Sequence, residues 1–238
     1  MPTKIAFPSG KVPDFRLEVE MTAPVMRWML RRGLSVKSEF LLPWGICDLV
    51  GVKLDPRRVK RRLSYGQTRP VGPLLRLLIL SKIPDCDSGK SIGLERLAGE
   101  LSYNVETGSL LRELDALVRD KFVRNTKRGS FQKLNGWAPL HYRIVAVELK
   151  LNRVSEAMNQ AVSNRTFATD SYVALPRTCA LRVARSERAT NLKRSGIGLL
   201  AVSHRACWEL IPPSVSKGTF DEIVQSHVVE RFWRTRDS

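Results

Sequence analysis

The chain has 238 residues, of which 43% are hydrophobic and 26% charged, a balance that belongs to folded globular proteins and excludes wholesale disorder. That length holds one large core or two small ones. Forty Lys and Arg against 23 Asp and Glu give a net charge of +17, so a polyanion is the expected partner, nucleic acid ahead of anionic lipid or charge carried only for solubility.

Cys47, Cys86, Cys179 and Cys207 are scattered without a CxxC pair, and His141, His204 and His227 stand far from metal-ligand spacing to them, so a zinc site is not expected. Residues 1–10 hold no apolar leader, and no later stretch reaches the length that spans a bilayer. The expectation is a reduced cytoplasmic protein, nucleoid-associated in a prokaryote, with no membrane contact.

Residues 20–32 read as a short amphipathic helix with Val25 and Met29 on its apolar stripe, joined by Met26 and Leu30, with Pro24 in the first turn and Gly33 as a stop. Two apolar runs, Phe40 to Leu42 and Ile46 to Val52, flank Pro43-Trp44-Gly45 and predict a β-hairpin with Asp48 inside its second strand. Residues 53–70 then crowd Arg57, Arg58, Lys60, Arg61 and Arg62 between prolines, and predict a linker or basic arm, with a solvated helix face as the plainer alternative.

Residues 71–139 follow a different pattern. Leu74 to Leu80 predict one helix, Ile92, Leu97, Ala98 and Leu101 a second, and Leu110, Leu111, Leu114, Leu117 and Val118 a third. A hairpin turn at Lys127-Arg128-Gly129-Ser130 comes next. Three helices and a basic hairpin resemble a winged helix-turn-helix, and the stretch ERLAGELSYNVETGSLLRELDALVRDKFV carries the likeness. The resemblance implies that Asn104, Thr107, Ser109 and Arg112 of the third helix, with Lys127 and Arg128 of the wing, meet DNA. Glu106 and Glu113 fit poorly against phosphate, and such modules also serve as protein-binding or structural units.

After this insert, residues 143–151 alternate as a strand that turns Glu148 and Lys150 to one side. Val154, Ala157, Met158, Ala161 and Val162 give an amphipathic helix that carries Gln160. Residues 171–175 form a strand ended by Pro176, residues 178–190 a helix, residues 197–202 a buried strand, and residues 217–238 an amphipathic helix that packs on the core or docks a partner. This order predicts an α/β core over residues 1–70 and 140–238, with residues 71–139 inserted.

An acid inside an apolar strand needs a charged or strongly hydrogen-bonding partner. The chain has two, Asp48 in GICDLVGV and Glu148 in IVAVELKL. One carboxylate from each strand can hold Mg²⁺ or Mn²⁺, while Lys150 orients or deprotonates a water, a set suited to phosphodiester hydrolysis. The plainer alternative is that Asp48 pairs with Lys150 or an arginine and Glu148 sits at an exposed strand end.

Asp48 in GxxDLVGV, VELK at 147–150, a helix with Gln160 and SYVALP at 171–176 together resemble the PD-(D/E)xK nuclease superfamily, with its restriction-endonuclease-like mixed sheet flanked by helices. The resemblance implies that Asp48, Glu148 and the Leu149 carbonyl hold the metal and that Lys150 serves the water. It adds Glu20, with Glu39 as a second candidate acid, and Gln160 as a polar helper. Cys47 stands where a proline is usual, and the two acids are unusually far apart in sequence. The function so implied is DNA cleavage, with Arg57, Arg58 and Arg61 as further DNA contacts; a homodimer or a larger nucleoprotein complex is compatible with it. The alternative is a non-cleaving DNA-binding or assembly protein on the same fold.

Overall fold

In a computed structural model describing residues 15–42, 45–101, 105–126, 129–134, 137–214 and 221–234, the chain divides into two units. Residues 1–50, 146–164 and 170–215 make one, and residues 51–145, 165–169 and 216–238 the other.

The first unit is α/β. Its elements are α1 (Thr22–Leu30), β1 (Ser35–Leu42), the start of β2 (Gly45–Leu54), the end of β6 (His141–Leu149), α6 (Val154–Asn164), β7 (Asp170–Pro176), α7 (Arg177–Ala184), α8 (Glu187–Arg194), β8 (Gly198–Val202) and β9 (Cys207–Ile211). The strands form a mixed six-stranded sheet in the order β1-β2-β6-β7-β8-β9. β7 and β8 run parallel, and β9 returns antiparallel to β8.

Helices cover both faces of this sheet. Val173 and Leu175 of β7 pack with Val154, Ala157 and Ala161 of α6 and with Ala180 and Leu192 of α7 and α8. Tyr172, on the opposite face by strand alternation, meets Trp28 of α1 edge to face at 5.4 Å. Every residue of β7 and β8 is buried, as expected of strands covered on both sides. Gly198 is needed beside that ring, because a Cβ there would stand 2.3 Å from Tyr172 Cδ1.

Several sequence expectations change here. Leu30 is exposed and Trp28 takes its place on the buried stripe of α1. The single helix expected over 178–190 is two helices, because the chain breaks at Arg185-Ser186, where Ser186 Oγ donates to the Val183 carbonyl. Strand β9 has no counterpart in the sequence reading; its Trp208, Glu209 and Leu210 are only half-buried, so its apolar signal is weak.

In the second unit, residues 56–64 of the basic stretch are helical: α2 (Pro56–Ser64) starts on Asp55, whose Oδ1 accepts from the amides of Arg57 and Arg58 at 2.9 and 3.2 Å, with Pro56 in the first helical position. α3 (Leu74–Lys82), β3 (Ile92–Gly93), α4 (Leu94–Glu100), α5 (Thr107–Arg119), β4 (Val123–Asn125) and β5 (Ser130–Lys133) follow. Their strands form an antiparallel three-stranded sheet in the order β3-β5-β4, closed over Leu77, Leu80, Leu97, Leu110, Leu114 and Phe122. Ile92 is a strand residue and not part of the second helix.

Residues 51–70 and α9 (Glu222–Arg234) fall in this unit, outside the 71–139 limits read from sequence. The tie is chemical: the fully buried Arg62 bonds both carboxylate oxygens of Glu230 at 2.5 and 3.0 Å, and Trp233 Nε1 donates to the Thr68 carbonyl at 3.1 Å. Among the described residues no helix is long and apolar enough to cross a membrane.

Candidate active site

The first unit places two buried charged residues, Glu148 and Lys150, at and just beyond the end of β6. Glu148 is the penultimate residue of that strand and is 2% exposed. Asn164 at the end of α6 donates from Nδ2 to Glu148 Oε1 at 2.6 Å. Asp48 of β2 accepts the amide of Leu149 on Oδ2 at 2.7 Å. The next amide, that of Lys150, turns the other way and donates to Ala174 of β7. The N–H and C=O of one strand residue lie on the same edge, so the Leu149 carbonyl also opens towards the Asp48 side.

Asp48 thus meets the backbone one residue beyond Glu148, near enough for its charge to act on that carboxyl. Burial pushes the Glu148 carboxyl up to about 7, and the nearby charge of Asp48 pushes in the same direction, against the hydrogen bond from Asn164. Cys47, one residue before Asp48, is the β2 side chain that shares a face with Glu148: its sulfur lies 3.6 Å from Asn164 Nδ2. Burial, and then the charge of Glu148, hold the Cys47 thiol well above its ordinary range, so it stays neutral. A proline in its place would have no such polar group to offer.

Lys150 shares the α6 side with Glu148, as strand alternation implies, and is met there by two acids. Its Nζ lies 3.5 Å from Glu18 Oε2 and 3.8 Å from Glu156 Oε1, and it is 6% exposed. Among the described residues Lys150 has no ion pair with Asp48, so the plainer alternative of an Asp48–Lys150 pair is not what forms. Glu18, just before α1, also accepts the Leu151 amide at 3.3 Å. The acid that the first helix brings to the site is therefore Glu18 and not Glu20. Glu20 is exposed, and its Oε2 accepts the amides of Arg16 and Leu17 at 2.8 and 3.3 Å, which draws its carboxyl below the ordinary value. That is a capping interaction, three residues after a helix start, and the spacing of the two glutamates in EVEM was the available signal. Glu39 is exposed in β1 at φ 47° and is not among the residues gathered here.

Gln160 falls between two residues of the site. Glu156, Gln160 and Asn164 stand four apart and so share one face of α6; the first meets Lys150 and the last meets Glu148. Gln160 Oε1 is buried with no hydrogen-bond partner among the described residues. Neither Glu156 nor Asn164 was singled out from sequence, although both lie one turn from Gln160.

A hard divalent cation fits this donor set. Glu148 and Asp48 each commit one oxygen, and the charge of half-buried Asp48 beside buried Glu148 is what such an ion relieves. Among the described residues no group of three or more His, Cys, Asp and Glu forms a cage. Mg²⁺ held by two carboxylates, a carbonyl and waters requires no third side chain.

In the second unit, Arg57, Arg61, Thr107 and Arg112 are exposed, and Arg112 reaches Ser109 Oγ at 3.3 Å. Arg58 is partly occupied, bonding the Pro139 carbonyl at 2.8 Å and Asp55 at 3.2 Å. Glu113 turns inward and pairs with Arg76 at 2.6 Å, so it presents little charge to a ligand of α5. Asn104, Lys127 and Arg128 lie outside the described residues.

No protein-family model, curated protein or solved structure matches this chain.

Proposed function

We propose that the chain is a DNA endonuclease dependent on Mg²⁺ or Mn²⁺, with a PD-(D/E)xK-type centre in its α/β unit and an inserted winged helix among the elements α3 to β5. The observation that carries this reading is the pair of acids, Asp48 on the Leu149 amide and buried Glu148 on Asn164, near enough for the charge of one to act on the other. The net charge of +17 supports a polyanionic substrate.

Asp48, Glu148 and the Leu149 carbonyl would hold the cation. When bound, it supplies Lewis-acid stabilisation of the phosphate and a water acidic enough to attack at neutral pH. Asn164 fixes the orientation of Glu148 and favours its ionised form. Glu18 and Glu156 hold the Lys150 ammonium, which orients a water by donating a hydrogen bond to its oxygen. Gln160 Oε1 offers a buried acceptor for a water proton. In the second unit, Arg57, Arg61, Thr107 and Arg112 are the groups offered to DNA, joined in sequence by Asn104, Lys127 and Arg128.

The engagement of Lys150 by Glu18 and Glu156 favours a second reading, a DNA-binding or assembly protein that has kept the fold without cutting. Incubating purified protein with supercoiled plasmid and Mg²⁺ or Mn²⁺ separates the two. Nicking or linearisation by wild type, lost in Glu148→Ala, is the expected result. An intact plasmid would leave only the second reading.

A further inference from the structure

We propose that a cleft between the Asn152 loop and helices α7 and α8 binds backbone phosphates of the DNA whose cleavage is assigned to Glu148 and Lys150. The proposal deepens the nuclease reading and rests on it for the identity of the polyanion. The cleft has a volume of about 560 Å³ and is lined by Asn152, Arg182, Ser186, Glu187 and Arg188 over a floor that includes Cys179 and Val183.

Its place in the fold links it to the candidate site. Asn152 follows Lys150 by two residues, and Val154, also in the lining, opens the helix that carries Glu156, Gln160 and Asn164. A strand positioned at Lys150 therefore leaves over a surface that the same loop and helix help to build. Its charge fits a phosphodiester chain. Arg182 and Arg188 are exposed, and neither forms an ion pair with a described residue. Between residues 177 and 194 the only acid is Glu187, against Arg177, Arg182, Arg185, Arg188, Lys193 and Arg194. Unpaired guanidinium groups on two successive helices present the planar forks that grip phosphate oxygens bidentately. The Asn152 amide adds a neutral donor. Glu187, at the lip, repels the same ligand and weakens it.

The test is the salt dependence of binding to a fluorescein-labelled DNA duplex, read by anisotropy with EDTA present so that cleavage plays no part. Two lost phosphate contacts should make the slope of log K against log salt shallower by about 1.8 in R182A/R188A. R182K/R188K, which keeps the charge, should retain the wild-type slope, and E187Q should bind several-fold more tightly than wild type. R16A/R31A, an equal loss of charge elsewhere in the same unit, should leave the slope within about 0.5 of wild type. An unchanged slope in R182A/R188A, or an equal change in R16A/R31A, overturns the cleft. Plasmid cleavage by wild type alongside an unchanged slope removes the cleft and keeps the nuclease reading. The predicted slopes without cleavage do the reverse.

Discussion

Asn164 donates to Glu148 across 2.6 Å between two buried side chains, at the C-terminal ends of α6 and β6. Hydrogen bonds to a charged group contribute roughly 1.5–3 kcal/mol, so this one opposes the upward push of burial and of Asp48 on the Glu148 carboxyl. In Asn164→Ala the Glu148 titration should move up by about one unit or more. Carbon-13 chemical shifts of the glutamate carboxyls, followed against pH without divalent metal, measure it. A Glu148 midpoint equal to that of wild type would show that the hydrogen bond does not act on the ionised form.

The raised Glu148 carboxyl also sets a pH dependence of stability. The folded state holds this proton up to about 7, whereas an unfolded glutamate releases it near 4.3, so the folded state binds more protons in between. Stability from this group is therefore greatest below the unfolded value, falls as pH rises through the window, and levels off above 7. Glu148→Gln, which cannot ionise, should match wild type near pH 4.5 and exceed it by up to about 3 kcal/mol near pH 7.5. Urea unfolding at both values, in EDTA, reads the difference. A variant less stable than wild type at the higher pH would contradict the burial argument.

Lys150 is held by Glu18 at 3.5 Å and Glu156 at 3.8 Å. If this placement serves the reaction, Lys150→Ala should lower single-turnover DNA cleavage by roughly 10²-fold or more. Glu18→Ala should lower it less, by on the order of tenfold, with DNA affinity little changed. Glu20→Ala, which removes only a cap, should cleave at the wild-type rate. Equal losses in Glu18→Ala and Glu20→Ala would return the role to the fold of the first helix.

Much of this site was legible in the sequence, and its omissions have physical causes. Asp48 and Glu148 stand out because acids inside apolar strands are costly to bury. Strand alternation was too blunt to aim them: Cys47 is the residue of β2 whose side chain meets the Glu148 face, while Asp48 reaches a backbone amide. The sequence points to Glu20 and passes over Glu18, because an acid that caps a helix and an acid that meets Lys150 are the same residue type and only the contacts separate them. In the arginine-rich stretch, Arg62 looks like its neighbours, yet it is fully buried against Glu230. The partner lies 168 residues away in sequence, beyond the reach of any local pattern.

That buried pair predicts its own energetics. Removing either partner leaves the other charge buried alone, which typically costs about 3–5 kcal/mol. Arg62→Met and Glu230→Leu should each destabilise the protein strongly, and the double variant should recover much of the loss. Thermal unfolding of the three variants yields the coupling. Additive losses would mean that the ion pair does not bind α2 to α9.

In the proposed centre Asp48 and Glu148 share one divalent ion. Titration of Mn²⁺ followed by electron paramagnetic resonance, which reports free ion directly, tests it without requiring the right DNA substrate. Wild type should bind about one Mn²⁺ per chain, and Asp48→Ala and Glu148→Ala should each abolish that site, while Glu39→Ala and Glu20→Ala retain it. Binding that survives both Asp48→Ala and Glu148→Ala, or no Mn²⁺ bound by wild type, would rule out a cation held between the two carboxylates.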